Sequence, residues 1–146
     1  MVAVGDPIFL AKMPGYEVGA VTYTSDSSTF TSTETEIASL TVSLIDGVTY
    51  DVRCDAHISS SVAGDTVTCR IREDTSAGTE VQVVSGNTVS TSGNRPVVIP
   101  VWGRYTAAAT ASKTFSVTAV RQSGTGNIFR EVSSVAPMIL TVKVAS

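Results

Sequence analysis

The sequence predicts an all-β domain, an antiparallel β-sandwich of jelly-roll-like form with eight or nine strands, carrying an extended N-terminal arm. Three observations predict it. First, from Thr49 to Ser59 the residues Tyr50, Val52, Cys54, Ala56 and Ile58 share one parity, while Asp51, Arg53, Asp55 and His57 share the other. A faultless period of two is the signature of a strand with one apolar and one polar face. Second, that alternation recurs along the chain at strand-to-strand spacings typical of sandwiches and jelly rolls. Third, no strand–helix–strand rhythm is present, which excludes a parallel sheet.

Taken in order, residues 1–15 form the arm and residues 16–146 the sandwich domain. In the arm, Ile8, Phe9 and Leu10 are consecutive apolar residues bracketed by Pro7 and Pro14. Left alone they would expose three large side chains, so they either dock on another surface or pack on their own domain. The first strand spans residues 16–24. A Ser/Thr tract over residues 25–35, interrupted by Phe30, reads as a surface loop or extended edge segment. In the second strand, residues 36–44, Ala38, Leu40, Val42 and Leu44 alternate with Ser39, Thr41 and Ser43. Asp46-Gly47 is a strong hairpin signal leading into the third strand, residues 49–59. The fourth, residues 66–73, points Val67, Cys69 and Ile71 inward and Thr68, Arg70 and Arg72 outward.

A turn at residues 74–78 precedes the fifth strand, residues 79–84. Three tripeptides of a hydroxyl residue, Gly and Asn follow: Ser85-Gly86-Asn87, Ser92-Gly93-Asn94 and Thr125-Gly126-Asn127. Gly and Asn tolerate positive φ, so each predicts a turn. The sixth strand, residues 96–104, contains Pro96 and Pro100, which remove ladder donors and place it at an edge or a bulge. Residues 105–112 read as a loop, since Thr and Ser interrupt the alanines. Further strands cover residues 113–122, a short segment at 128–132, and residues 137–144.

Composition narrows the function classes. Charged residues are 16% of the chain against a hydrophobic 42%, where roughly a quarter charged is usual. Thr, Ser and Val surfaces suit strand pairing and assembly. The formal net charge of −3 comes with no Lys/Arg run, so the footprint for nucleic acid is missing, and an anionic membrane surface is disfavoured. No apolar run approaches the roughly 20 residues of a membrane-spanning helix. The N-terminus lacks the basic start of a secretory signal, so the protein is expected to be made and used without export.

Catalytic and metal chemistry find little support. His57 is the only histidine, and on the polar parity of its strand it is expected to face outward. Cys54 and Cys69 lie on inward parities, opposite to His57, so zinc ligation by the three is disfavoured. The two cysteines, on consecutive strands, are read as buried thiols; a cross-strand disulfide is the geometrically demanding alternative. Asp74-Thr75-Ser76-Ala77-Gly78 resembles an aspartic-protease loop, but its glycine is displaced, leaving an acidic turn. No phosphate-binding loop, nucleophile elbow or calcium loop occurs. Trp102, Arg104 and Tyr105 form an aromatic and basic group that is either core packing or a glycan contact. The alternating polar residues Asp51, Arg53, Asp55 and His57 mark a solvated sheet face or intersubunit ion pairs. No catalytic residue, cofactor or metal site is expected.

The ordered segments Thr33-Glu34-Thr35-Glu36, Gly47-Val48-Thr49-Tyr50-Asp51-Val52, Asp65-Thr66-Val67-Thr68-Cys69-Arg70-Ile71-Arg72, Tyr105-Thr106-Ala107, Thr114 to Arg121 and Gly124-Thr125-Gly126-Asn127, closed by a strand from Pro137 to Val144, carry a resemblance. The chain resembles the small β-rich virion proteins of tailed bacteriophages, particularly those infecting actinobacteria, of the head-decoration, head-fibre or minor tail type. That resemblance implies a jelly-roll-like domain, often trimeric, mounted on the virion, with no catalytic residues. Relatives often end in an acidic strand tail; this chain ends Val142-Lys143-Val144-Ala145-Ser146. The resulting expectation is a homotrimer on the capsid surface with the major capsid protein as partner. Ile8, Phe9 and Leu10 are then the docking element. The alternative is a tail or fibre-tip protein that reads host glycan through Trp102, Arg104 and Tyr105.

Overall fold

A computed structural model describes residues 12–91 and 96–146 of the chain. Ten strands occur among them: β1 (Glu17–Tyr23), β2 (Thr35–Leu44), β3 (Thr49–Ser60), β4 (Thr66–Glu73), β5 (Glu80–Thr88), β6 (Ser90–Thr91), β7 (Val97–Thr106), β8 (Ala111–Ser123), β9 (Ile128–Arg130) and β10 (Met138–Val144). They form two sheets. In the first, β1 pairs β10 and β10 pairs β3, which pairs β7 on its far side. The short strands β6 and β9 extend β3 beyond the ends of its long partners. The second sheet runs β2-β8-β4-β5.

This order is that of one long hairpin wrapped on itself. β4 pairs β5, β3 pairs β7, β2 pairs β8 and β1 pairs β10, each antiparallel. The β10–β3 and β8–β4 ladders then close each sheet. An eight-strand antiparallel double sheet of this connectivity is a jelly roll. Among the described residues the two-residue β6, parallel to β3, is the one departure from antiparallel pairing and brings the count above the expected eight or nine.

Alternation decides which side chains meet between the sheets. Tyr50, Val52, Cys54, Ala56 and Ile58 of β3 are all buried, facing Val67, Cys69 and Ile71 of β4 and Phe115, Val117 and Ala119 of β8. Tyr50 is fully buried, and its hydroxyl accepts the Ile45 N–H at 2.9 Å, so its polar end is satisfied.

Glycine closes both lateral openings of the sandwich. A Cβ on Gly19 of edge strand β1 would stand 2.6 Å from Val42 Cγ1 of β2. One on Gly103 of edge strand β7 would stand 3.0 Å from Val81 Cγ1 and Gln82 Cβ of β5. At each side the two sheets approach more closely than a side chain between them permits.

Three connections differ from the sequence expectation. Asp46-Gly47 does not turn a hairpin: β2 and β3 belong to opposite sheets, and the Gly47 N–H donates to Ala107 of the β7–β8 connection. Likewise β3 and β4 lie in opposite sheets, so Cys54 and Cys69 are not ladder neighbours. Both are free and buried, and burial pushes each thiol up to about 12. Ser85-Gly86-Asn87 lies inside β5 as a bulge, where Gly86 takes φ +76° between the Cys69↔Val84 and Val67↔Asn87 pairs. Ser92-Gly93-Asn94 lies outside the described residues, as do Ile8, Phe9 and Leu10.

Thr125-Gly126-Asn127 does form a turn, and Asp65 holds it. The buried Asp65 carboxylate accepts the Ser60 hydroxyl at 2.6 Å, the Thr125 N–H at 3.0 Å and the Gly126 N–H at 2.9 Å. The Ser60 hydroxyl first, then these two backbone donors, hold its pKa below the ordinary value against the opposing effect of burial. Phe30 anchors the Ser/Thr tract: it is buried and exchanges backbone hydrogen bonds of 2.8 Å with Ile128.

Candidate functional site on the open sheet face

The outward residues of the two sheets meet different fates. On the second sheet, Arg70 and Arg72 of β4 and Ser116 and Thr118 of β8 point away from the core, and Glu34, just before β2, lies over them. The Glu34 carboxylate accepts Arg72 Nε at 2.6 Å, Arg72 Nη2 at 3.0 Å, Arg70 Nη1 at 3.2 Å and the Thr118 hydroxyl. Arg70 also reaches Glu80 at 2.9 Å, and the Ser116 hydroxyl donates to Glu36 at 2.6 Å. Ser116 and Thr118 are thereby fully buried on the nominally outer side. The hydrogen bonds from Arg72, with help from Thr118 and Arg70, lower the Glu34 pKa against desolvation. Lys113 bridges Glu73 and Asp74 at 3.0 Å each, which raises its pKa. Asp74, the acid of the protease-like pentapeptide, is thus held in an ion pair.

The sequence reading did not anticipate this network. Its signal was present as three pairs spaced by two: Glu34/Glu36, Arg70/Arg72 and Ser116/Thr118.

On the first sheet the outward face stays open. Register places Arg53 between Thr141 and Trp102, Asp51 between Lys143 and Arg104, and His57 opposite Val98. Asp51 accepts Arg104 Nε at 2.9 Å and stands 3.7 Å from Arg53 Nη2. These charges therefore pair within the chain. The Arg53 guanidinium lies over the Trp102 ring at 4.5 Å from its centroid, and that of Arg104 at 5.9 Å. Such stacking at an exposed site is worth about 0.5–1 kcal/mol each, and it orients the indole without enclosing it.

Trp102 remains 49% exposed, with Val98 at 50% and Ile139 at 43% on the same face. A depression of ≈ 420 Å³, lined by Arg53, Asp55, Pro100, Trp102, Ile139 and Thr141, lies on one side of the indole. Another of ≈ 370 Å³, lined by Gln82, Trp102, Gly103 and Arg104, lies on the other.

The structure brings Trp102 and Arg104 together but separates Tyr105 from them. Tyr105 has the parity of Ile99 and Val101, points inward, and packs edge-on against Phe115 with ring centroids 5.3 Å apart. His57, expected outward, is half-buried, and its Nδ1 is enclosed without a hydrogen-bond partner. Among the described residues no group of three or more His, Cys, Asp or Glu is arranged to hold a metal ion. No helix among them is long and apolar enough to cross a membrane.

No family model matches the chain, and no curated protein matches it in sequence. Its fold is similar to that of particles derived from infectious bursal virus. The match covers 88% of this chain and 36% of that one, at 16% identity and a TM-score of 0.51. The subviral particle of infectious bursal disease virus matches over 88% of this chain and 37% of that one, at 13% identity and a TM-score of 0.47. The baseplate tripod of bacteriophage Tuc2009 matches over 87% and 64%, at 13% identity and a TM-score of 0.41. The chain thus spans 36% of the first of these proteins. At such identities the likeness is one of fold: an all-β sandwich shared with a viral particle protein.

Proposed function

We propose that this protein is a non-enzymatic structural component of a bacteriophage virion, a homotrimer decorating the capsid exterior with the major capsid protein as its partner. The observation that carries the reading is the strand order, a jelly roll whose fold is shared with a viral particle protein. The segment-by-segment resemblance to phage virion proteins supports it, as does a surface low in charge. Ile8, Phe9 and Leu10 are the proposed docking element, each copy adding a modest contact that many copies multiply through avidity.

The test adds purified protein to capsids lacking it and follows capsid melting. A rise in capsid Tm that is lost on deleting residues 1–14 supports the reading. An unchanged Tm, with protein sedimenting apart from the capsids, overturns it. Gold labelling of a tagged copy distinguishes head from tail, and sedimentation equilibrium reads the trimer.

A second reading, a tail or fibre-tip protein that recognises host glycan, is favoured by one observation. Trp102 and Arg104 stand together on an open sheet face instead of packing into the core.

A further inference from the structure

We infer that the open face around Trp102 is a carbohydrate-binding platform for β-1,4-linked glycans whose ring substituents are all equatorial. The inference deepens the second reading above and rests on it for biological role, but its chemistry is independent of where the protein sits on a virion.

The argument begins with the indole. Trp102 projects from β7 between two shallow depressions, so it is a ridge with a groove on either side. A pyranose with only equatorial substituents carries C–H groups on its two flat faces and hydroxyls around its rim. The C–H face matches an exposed aromatic ring, which provides large contact area at low conformational-entropy cost. The rim needs planar donors and acceptors, and they are in place: Arg53, Asp55 and Thr141 on one side, Arg104 and Gln82 on the other. Both guanidinium groups are more than half exposed, at 58% and 53%, so each can turn from the indole to a hydroxyl.

Other ligand classes fit less well. Asp51 and Asp55 stand among the arginines of the same face and repel phosphate, which disfavours nucleic acid. An added peptide strand would need the free edge of β7, where Pro100 has no N–H to give. A neutral, polyhydroxylated, flat ligand satisfies both the mixed charges and the aromatic ridge. Two depressions flanking one indole further call for an oligomer, with sugar rings on both sides of the ring that stacks.

Trp102 is the only tryptophan, so intrinsic fluorescence of the full chain reads this site directly. Titration with cellotetraose and with chitotetraose is expected to give a saturable change in emission at millimolar concentrations, the range for an open groove with one aromatic anchor. Glucose at equal concentration is expected to bind at least tenfold more weakly. β-1,4-galactotetraose, whose axial O4 linkages bend the chain out of the flat ribbon, is expected to bind at least tenfold more weakly than either. By ligand-observed NMR, Trp102→Ala should abolish binding with the melting curve retained, Arg104→Ala should weaken it several-fold, and Tyr105→Phe should leave it intact. No saturable response to either tetramer up to about 10 mM overturns the inference, as does equal binding of the galactose tetramer. Capsid binding that persists while all sugars fail would remove this inference and leave the decoration reading standing.

Discussion

The two sheets present outer faces built from the same alternation, yet one is sealed and the other open. On the second sheet Glu34 lies over β4 and β8 and is bonded to Arg72, Arg70 and Thr118, which buries Ser116 and Thr118 completely. On the first sheet Asp51 pairs with Arg104 and stands near Arg53 while Trp102, Val98 and Ile139 remain exposed. A polar network with its partners satisfied serves the fold. An apolar ridge left half in water contributes little to folding. The difference teaches that charge on a strand face does not by itself tell a structural network from an open surface; hydrogen-bond satisfaction does.

Removing the seal should have the largest effect. Glu34→Ala leaves two arginines facing each other and a buried Thr118 hydroxyl without its acceptor, and is expected to cost about 3 kcal/mol in denaturant melts. A loss below about 0.5 kcal/mol would show that the network is decorative.

Acid should act next, on that face and on the turn that Asp65 holds. The folded-state pKa of Glu34 lies below its ordinary value of 4.5, and that of Asp65 below 3.8. The unfolded chain therefore binds more protons in that range, and stability rises with pH through it. The contribution is complete above about pH 4.5 and is lost as pH falls through the folded values. Melting temperatures across pH 2.5–6 should fall toward the acid end, and Glu34→Gln should flatten the upper part of that fall.

The open face should respond less. Asp51→Asn loosens Arg104 and Arg53 and is expected to cost about 1 kcal/mol by thermal melting, with a change in Trp102 emission as the guanidinium groups reorient. Smallest of all, Trp102→Ala should cost less than about 1 kcal/mol, since what it removes is chiefly exposed cation–π contact. A larger loss would place Trp102 among the residues that hold β7 to β3, and the two faces would no longer contrast.

Much of the fold is legible in the sequence because strand parity is local. Each of β3, β4 and β8 carries its own inward set, and every residue of those sets is buried. The site is legible in part. Trp102 and Arg104 stand out by residue type, and a period of two applied to residues 99–105 separates Tyr105 from them. Other features involve elements far apart in the chain. Glu34 meets Thr118 across 84 positions and Arg72 across 38, and no local pattern encodes such a meeting.

By itself, then, the sequence determined an all-β domain, the approximate place of nine strands, the apolar face of five of them and the absence of a familiar catalytic motif. Backbone sterics and side-chain alternation act within a few residues, so a linear reading captures them. Only the tertiary structure decided that Asp46-Gly47 crosses between sheets, that Cys54 and Cys69 belong to opposite sheets, and that one outer face closes under Glu34 while the other stays open around Trp102. Sheet partnership is a competition among all strands at once, won by long-range packing of the inward faces, and no turn signal between two neighbours can settle it.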